Sequence, residues 1–214
     1  MIIAIDGTAG SGKSTTAKRL AKELSFFHID SGSLYRVVTY FCIMNKINSE
    51  DNESLTMALN DIDITFQSEK ILLNGKDVSS EIREHNISDS VSEYSANITI
   101  RSKLSNLQRQ LADKKNVVVE GRDIGTSVFP DADFKFYLSA DVQIRADRRY
   151  KQIVKKTRGI SKEQVLNNLI KRDKLDMSRE HSPLFKDNNA IEIDTTNLNI
   201  NEQIEMIIKT INKE

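Results

Sequence analysis

Hydrophobic positions in this chain come in short runs separated by longer stretches of helical spacing. Residues 2–5, 117–119, 134–138 and 190–193 are largely apolar, rich in strand-favouring residues and bounded by polar or turn residues, which predicts buried strands. Residues 26–29 read as a weaker strand ending at Asp30. Helical spacing follows at about 12–25, 32–45, 88–114, 141–157, 161–178 and 200–212. Strands separated by helices predict an α/β fold of three layers, a central parallel sheet with helices on both faces. Ligands gather at the carboxyl ends of such strands, and Asp6, Asp30, Glu120 and Ser139 fall there.

One stretch breaks this rhythm. Ile62, Ile64 and Phe66 alternate with polar residues, residues 71–73 are apolar again, and Asn74-Gly75 leads into a short return over 76–78. Asn-Gly between alternating segments is a strong hairpin signal. A small antiparallel sheet is therefore expected as an insertion into the parallel scheme.

Composition narrows the picture by exclusion. The chain has 214 residues, enough for one domain with insertions. Lys plus Arg and Asp plus Glu number 31 each, so no global field argues for nucleic acid or a membrane surface. Cys42 is the single cysteine, so no internal disulfide can form; its apolar neighbours predict a buried, inert thiol. The first apolar run ends at Asp6, short of a secretory leader, and no window approaches the ~18 apolar residues of a membrane span. A cytoplasmic protein is expected, and with no amphipathic seam for an obligate dimer, a monomer.

The strongest chemical signal sits at the start. Gly7, Gly12, Lys13 and Ser14 fit G-x-x-x-x-G-K-S, between an apolar run and a helical pattern carrying Ala17, Leu20, Ala21 and Leu24 on one face. Gly7, Gly10 and Gly12 let backbone N–H groups of residues Gly7, Thr8, Ala9, Gly10, Ser11, Gly12, Lys13, Ser14 and Thr15 face phosphate oxygens at the positive end of a helix. Lys13 can reach the β and γ phosphates and Ser14 can ligate Mg²⁺, with Asp30 a further carboxylate near the metal. The plain alternative is a Gly-rich turn. The loop specifies a nucleoside triphosphate such as ATP and leaves the acceptor open.

Two further segments lie at strand ends. In the stretch from Asp30 through Ser31, Ser33 and Tyr35 to Arg36, an arginine can meet a phosphate and an aromatic ring a base or sugar; equally, Asp30 or Ser31 can cap a helix with Arg36 in solvent. In Glu120-Gly121-Arg122-Asp123, the planar donors of Arg122 suit a phosphate or base edge and Asp123 can accept from a hydroxyl or amine, against a simple surface pair. Arg145, Arg148 and Arg149 share one helical stretch, a basic loop with Arg158 follows, and Arg172, Asp176 and Arg179 share a face of the next helix. Any one such arginine can simply be solvated. Together they can disperse charge in phosphoryl transfer and form a closing lid that excludes water.

These segments resemble bacterial cytidylate kinases, the CMP kinases of the P-loop nucleoside monophosphate kinase superfamily. The resemblance runs end to end through IDGTAGSGKST, DSGSLYR, LNGKDVSSEIR, VVVEGRDIGTSVFPDADFKFYLSA, RADRR, KRDKLDMSRE and AIEIDTT. It implies a P-loop core over about 1–35 and 115–214, an inserted antiparallel monophosphate-binding subdomain over about 36–112, and a helical lid over about 150–162. It implies transfer of phosphate from ATP with Mg²⁺ to CMP or dCMP. By position, Ser31, Tyr35 and Arg36 match the monophosphate motif, with Arg36 on the CMP phosphate. Ser92 and Arg101 would read the cytosine. Arg122 would hold phosphate and Asp123 base or sugar, while Asp176 and Arg179 match a pair near pentose and phosphate. Arg149 and Arg158 fall in the lid and join Lys13, Arg122 and Arg179 as charges on the transferred group. Glu120 stands where many members carry Asp. No histidine is expected to be essential among His28, His85 and His181. The alternatives are a shikimate, thymidylate or dephospho-coenzyme A kinase of the same fold. A nucleotide-regulated switch is disfavoured, because neither an N-K-x-D nor a D-x-x-G motif is found in a suitable place.

Overall fold

The apolar runs become a five-stranded sheet in the order β2-β6-β1-β7-β8. The strands are β1 (Ile2–Gly7), β2 (Phe27–Asp30), β6 (Val117–Glu120), β7 (Phe134–Ser139) and β8 (Ile191–Asp194). β1 lies at the centre, parallel to β6 through Ile2↔Val117 and to β7 through Ile3↔Phe134, and β7 is parallel to β8. The computed structural model describes residues 1–67, 70–154 and 159–213. Its described chain divides into two compact units, Met1–Ile29 with Ala112–Glu214, and Asp30–Leu111.

In the first unit, α1 (Lys13–Leu24) and α8 (Ile200–Ile211) cover one face of the sheet. Ala17, Leu20, Ile204 and Ile207 pack on Ile3, Ile5, Phe136 and Leu138, all buried. Burial of each large side chain contributes about 1.5–3 kcal/mol, so this seam anchors the strand end from which the glycine loop emerges. A second apolar cluster joins Ala9 to Ala146, Val165 and Leu169, on α6 (Val142–Ile153) and α7 (Lys162–Ser178). Among the described residues, no helix is long and apolar enough to cross a membrane.

The second unit holds α2 (Ser31–Met44), α3 (Asn52–Asn60), α4 (His85–Tyr94), most of α5 (Ile98–Ala112) and a sheet of β3 (Ile64–Gln67), β4 (Lys70–Leu73) and β5 (Lys76–Asp77). The expected Asn-Gly hairpin is present. Asn74 and Gly75 have φ of 49° and 78°, the pair of positive angles a two-residue turn between twisted strands needs. Cys42 is fully buried in this unit, and burial pushes its thiol up to about 11.

One helical expectation is corrected, and one helix appears where none was expected. The helix expected over 88–114 is split into α4 and α5, because Asn97 accepts from the Thr99 N–H at 2.8 Å and opens a new helix. Its amide also donates to the Ser49 carbonyl (3.0 Å), fixing the break in place. The helix α3 was not anticipated: Leu55, Ala58 and Leu59 are its few buried residues, and it starts on an Asp51 cap whose carboxylate accepts from the Ser54 N–H at 3.0 Å. Five residues, Ile124–Val128, form a wide π turn after β6 that periodicity did not reveal.

Candidate active site

The glycine loop is shaped by its neighbours in the sheet. Gly7 pairs with Leu138, and a Cβ at Gly7 would lie 2.0 Å from the Leu138 carbonyl oxygen, so no other residue fits. Gly12 has φ 99° and caps α1 without a side-chain hydrogen bond to the helix's first N–H groups. Lys13 is buried; its ammonium donates to the Thr8 carbonyl at 2.6 Å and to Ser11 Oγ at 3.5 Å. Burial, then the Arg122 charge, hold the Lys13 ammonium well below the usual lysine range, with Glu120 and Asp6 opposing. The loop is held from behind. Ala9 donates to Asp173, the Ser11 carbonyl accepts from Thr195 Oγ1 at 2.8 Å, and Thr16 Oγ1 donates to Gln203 at 2.6 Å.

At the other end of the loop, Ser14 Oγ donates to Glu120 Oε2 at 2.6 Å, and His28 Nε2 faces Glu120 Oε1 at 3.3 Å. Asp30, expected as a further carboxylate near the metal, caps α2: its carboxylate accepts from the Ser33 N–H (3.0 Å) and Ser33 Oγ (2.6 Å). The serine hydroxyl and glutamate carboxylate are hard oxygen donors, the kind Mg²⁺ takes when phosphates and water complete its shell. The residues present fit that ion.

Beyond β6 lies an interlocked cluster of arginines and carboxylates. Arg122 Nε donates to Asp176 Oδ2 at 2.9 Å, Arg179 reaches Asp123 at 3.4 Å and Asp176 at 3.8 Å, and Arg179 Nε donates to the Ser182 carbonyl at 2.6 Å. Burial alone would raise the Asp176 carboxyl, but Arg122, Arg172 and Arg179 outweigh it and hold it below the ordinary carboxylate range. Asp6, at the end of β1, accepts from the N–H groups of Ile124 (2.9 Å) and Gly125 (2.7 Å) and so fastens the turn that follows Asp123. Burial pushes Asp6 up to about 6, against those two hydrogen bonds.

The remaining acceptor-side residues belong to the second unit. Tyr35 is buried, and the Arg101 guanidinium lies over its ring at 5.3 Å while donating to the Ser95 carbonyl at 2.9 Å. Ser31 is buried at the start of α2; Arg36, one turn on, is half-buried. A Cβ at Gly32 would come within 3.1 Å of the Arg36 guanidinium and 3.2 Å of the Asp30 carboxylate, so glycine lets those two side chains close over it. Ser92 is half-buried on α4.

The arginines of α6 divide. Arg148 donates to the Thr195 carbonyl at 2.6 Å and Arg145 to the Ala9 carbonyl at 2.9 Å, so both are ties within the first unit rather than lid charges. Arg149 is half-buried on α6, and Arg158 lies outside the described residues. Sequence reasoning placed Asp6 at a ligand-gathering strand end without naming its partners, and gave Asp173 no role. Asp6 ends an apolar run, and Asp173 stands beside Arg172 in a charged helix; an unbroken apolar environment around a lone carboxylate was the available signal for the first.

A parallel sheet whose first strand runs through G-x-x-x-x-G-K-S into a helix, with arginine–carboxylate pairs at neighbouring strand ends, defines a P-loop kinase of small molecules. The family model for cytidylate kinase matches residues 3–213. The chain is 46% identical to cytidylate kinase of Clostridium tetani over 211 residues, 99% of this chain and 93% of that one. It is likewise 46% identical to that of Fusobacterium nucleatum over 213 residues, 100% of this chain and 98% of the relative. The chain belongs to the cytidylate kinase family. Solved structures give the same fold at low identity. An uncharacterized protein from Eubacterium ventriosum superposes with a TM-score of 0.59 at 16% identity, covering 100% of this chain and 99% of that one. A shikimate kinase from Bacteroides thetaiotaomicron gives a TM-score of 0.51 at 13% identity, covering 99% and 98%.

Proposed function

We infer that this protein transfers the γ-phosphoryl group of ATP to CMP and dCMP. The observation that carries the reading is the cytidylate kinase match over residues 3–213, with every element of the phosphate loop intact. Lys13 and the N–H groups of the loop hold the donor phosphates. Ser14 and Glu120 would hold Mg²⁺, which supplies neutralising charge on the phosphates. Arg36, Arg122 and Arg179 orient the acceptor phosphate, Asp123 and Asp176 meet base or pentose, and Ser31, Tyr35, Ser92 and Arg101 contribute to recognition of the monophosphate. Arg149 and Arg158 are assigned to the lid, and the protein is taken as a cytoplasmic monomer.

Positioning and charge stabilisation supply the rate. An acceptor that is an ionised phosphate needs no general base. No catalytic role is therefore assigned to His28, which faces Glu120, to His85, which pairs with Asp89 at 2.7 Å on the surface, or to His181. Release of ADP from ATP-Mg²⁺ with CMP, dCMP, UMP, AMP, TMP and shikimate in turn tests the reading. CMP and dCMP should exceed the others by about tenfold or more, the margin that unpaired polar groups in a base-reading site impose. Faster turnover of TMP or shikimate would overturn it.

A further inference from the structure

The tip of the phosphate loop is gripped by two opposite charges from the helices behind it. Asp173 on α7 accepts the Ala9 N–H at 3.1 Å, Arg145 on α6 donates to the Ala9 carbonyl at 2.9 Å, and the two side chains pair with each other at 2.5 Å. Arg145 also donates to the Ala140 carbonyl at 3.0 Å, which fixes the plane of its guanidinium. Arg145 and Asp173 are 7% and 8% exposed, and Ala9 itself packs with Ala146, Val165 and Leu169. A merely solvated pair would leave the loop alone; this one is buried against it and touches both polar atoms of one residue.

The stereochemistry of the peptide bond carries the consequence. Every peptide bond among the described residues is trans, so the C=O and N–H of one peptide point to opposite sides. With the Ala9 N–H directed at Asp173, the carbonyl of the same peptide, that of Thr8, points the other way and receives the Lys13 ammonium at 2.6 Å. With the Ala9 carbonyl directed at Arg145, the Gly10 N–H turns away from α6. We propose that Asp173 and Arg145 are positioning residues of the donor site. They set the two peptide planes flanking Ala9, and through the Thr8 carbonyl they set where Lys13 stands for the triphosphate. The order matters: the acceptor must face the Ala9 N–H and the donor its carbonyl.

This rests on the reading of Gly7–Thr15 as the ATP site. The test compares the parent with D173N, R145K and the exchanged pair R145D/D173R, measuring KM for ATP and for CMP, kcat, and Tm. D173N should raise the ATP KM about tenfold with the CMP KM within about twofold, because one amide oxygen cannot accept from both the Ala9 N–H and Arg145, and the NH2 is turned on whichever donor is left. The exchange restores opposite charges yet presents a donor to an N–H and an acceptor to a carbonyl, so the ATP KM stays high even as Tm recovers. R145K keeps the charge and one donor; it should raise the ATP KM about threefold and serves if D173N does not fold. Recovery of the ATP KM by the exchange, an equal rise of both KM values in D173N, or an unchanged ATP KM in R145K each overturns the proposal. A parent without ATP-dependent CMP turnover would instead overturn the reading on which it rests.

Discussion

The donor loop and the arginine–carboxylate cluster both handle phosphate charge, but they are built from different material. The loop is backbone: N–H groups, one glycine pressed against the Leu138 carbonyl, and a lysine donating to its own loop at 2.6 Å. The cluster is side chain: Arg122, Asp176, Arg179 and Asp123 hold one another. A backbone site gripped from behind by Asp173 and Arg145 keeps its shape when the side chain of Lys13 is removed. A cluster of buried ions does not, because each charge is the solvation of the next.

The contrast makes its sharpest prediction at Lys13. Its charge is disfavoured by burial, so Lys13→Ala should lower kcat by about a thousandfold or more while Tm holds or rises. A matching collapse of Tm would show that the loop, too, depends on its side chain. At Asp176 the balance should reverse. Asp176→Asn removes the negative charge between Arg122 and Arg179, and should raise the CMP KM about ten- to a hundredfold, lower Tm, and leave the ATP KM nearly unchanged. Steady-state kinetics with thermal melts decides it, and an intact Tm would break the comparison.

Asp6, which joins the end of β1 to the turn after the cluster, gives a smaller effect with a defined sign. Its folded value of about 6 lies above the ordinary aspartate value of 3.8, so between those pH values the folded chain keeps a proton that the unfolded chain has lost. This contribution to stability is full below pH 3.8 and is lost as pH rises towards 6 and beyond, by on the order of 1–3 kcal/mol. Asp176, held below 3.8, acts oppositely and only at lower pH, where its contribution is lost on acidification. Denaturant titrations from pH 4 to 7 should show a downward slope in the parent that Asp6→Asn flattens. An identical slope in both proteins would remove Asp6 from the account.

The same division explains what could be read in the chain. The strands, the Asn74-Gly75 turn and the phosphate loop are local patterns, in which spacing and backbone preference act within a few residues. The bonds that complete the site join distant segments: Arg122 with Asp176, Asp6 with Ile124, Ala9 with Asp173. Composition and periodicity carry no signal for which carboxylate meets which arginine. The resemblance to a family named Arg122, Asp176 and Arg179 by position, but it was silent on Asp6, which accepts from two backbone N–H groups, and on Asp173, which accepts from the Ala9 N–H and pairs with Arg145. Arg145 and Arg148 misled for a related reason. A stripe of arginines on a helix looks solvent-directed until the neighbouring carbonyls are in place to receive it. At residues 95–97, one asparagine side chain interrupted what would otherwise pass as a single long helix.

The lone thiol of Cys42 has a practical consequence. Fully buried and pushed up to about 11, it presents almost no thiolate at neutral pH, and thiolate is the form that reacts with alkylating labels and oxidants. The native chain is thus already a silent background for spectroscopy. A cysteine introduced at an exposed position of either unit would carry a fluorophore or spin label alone, without first removing the natural one.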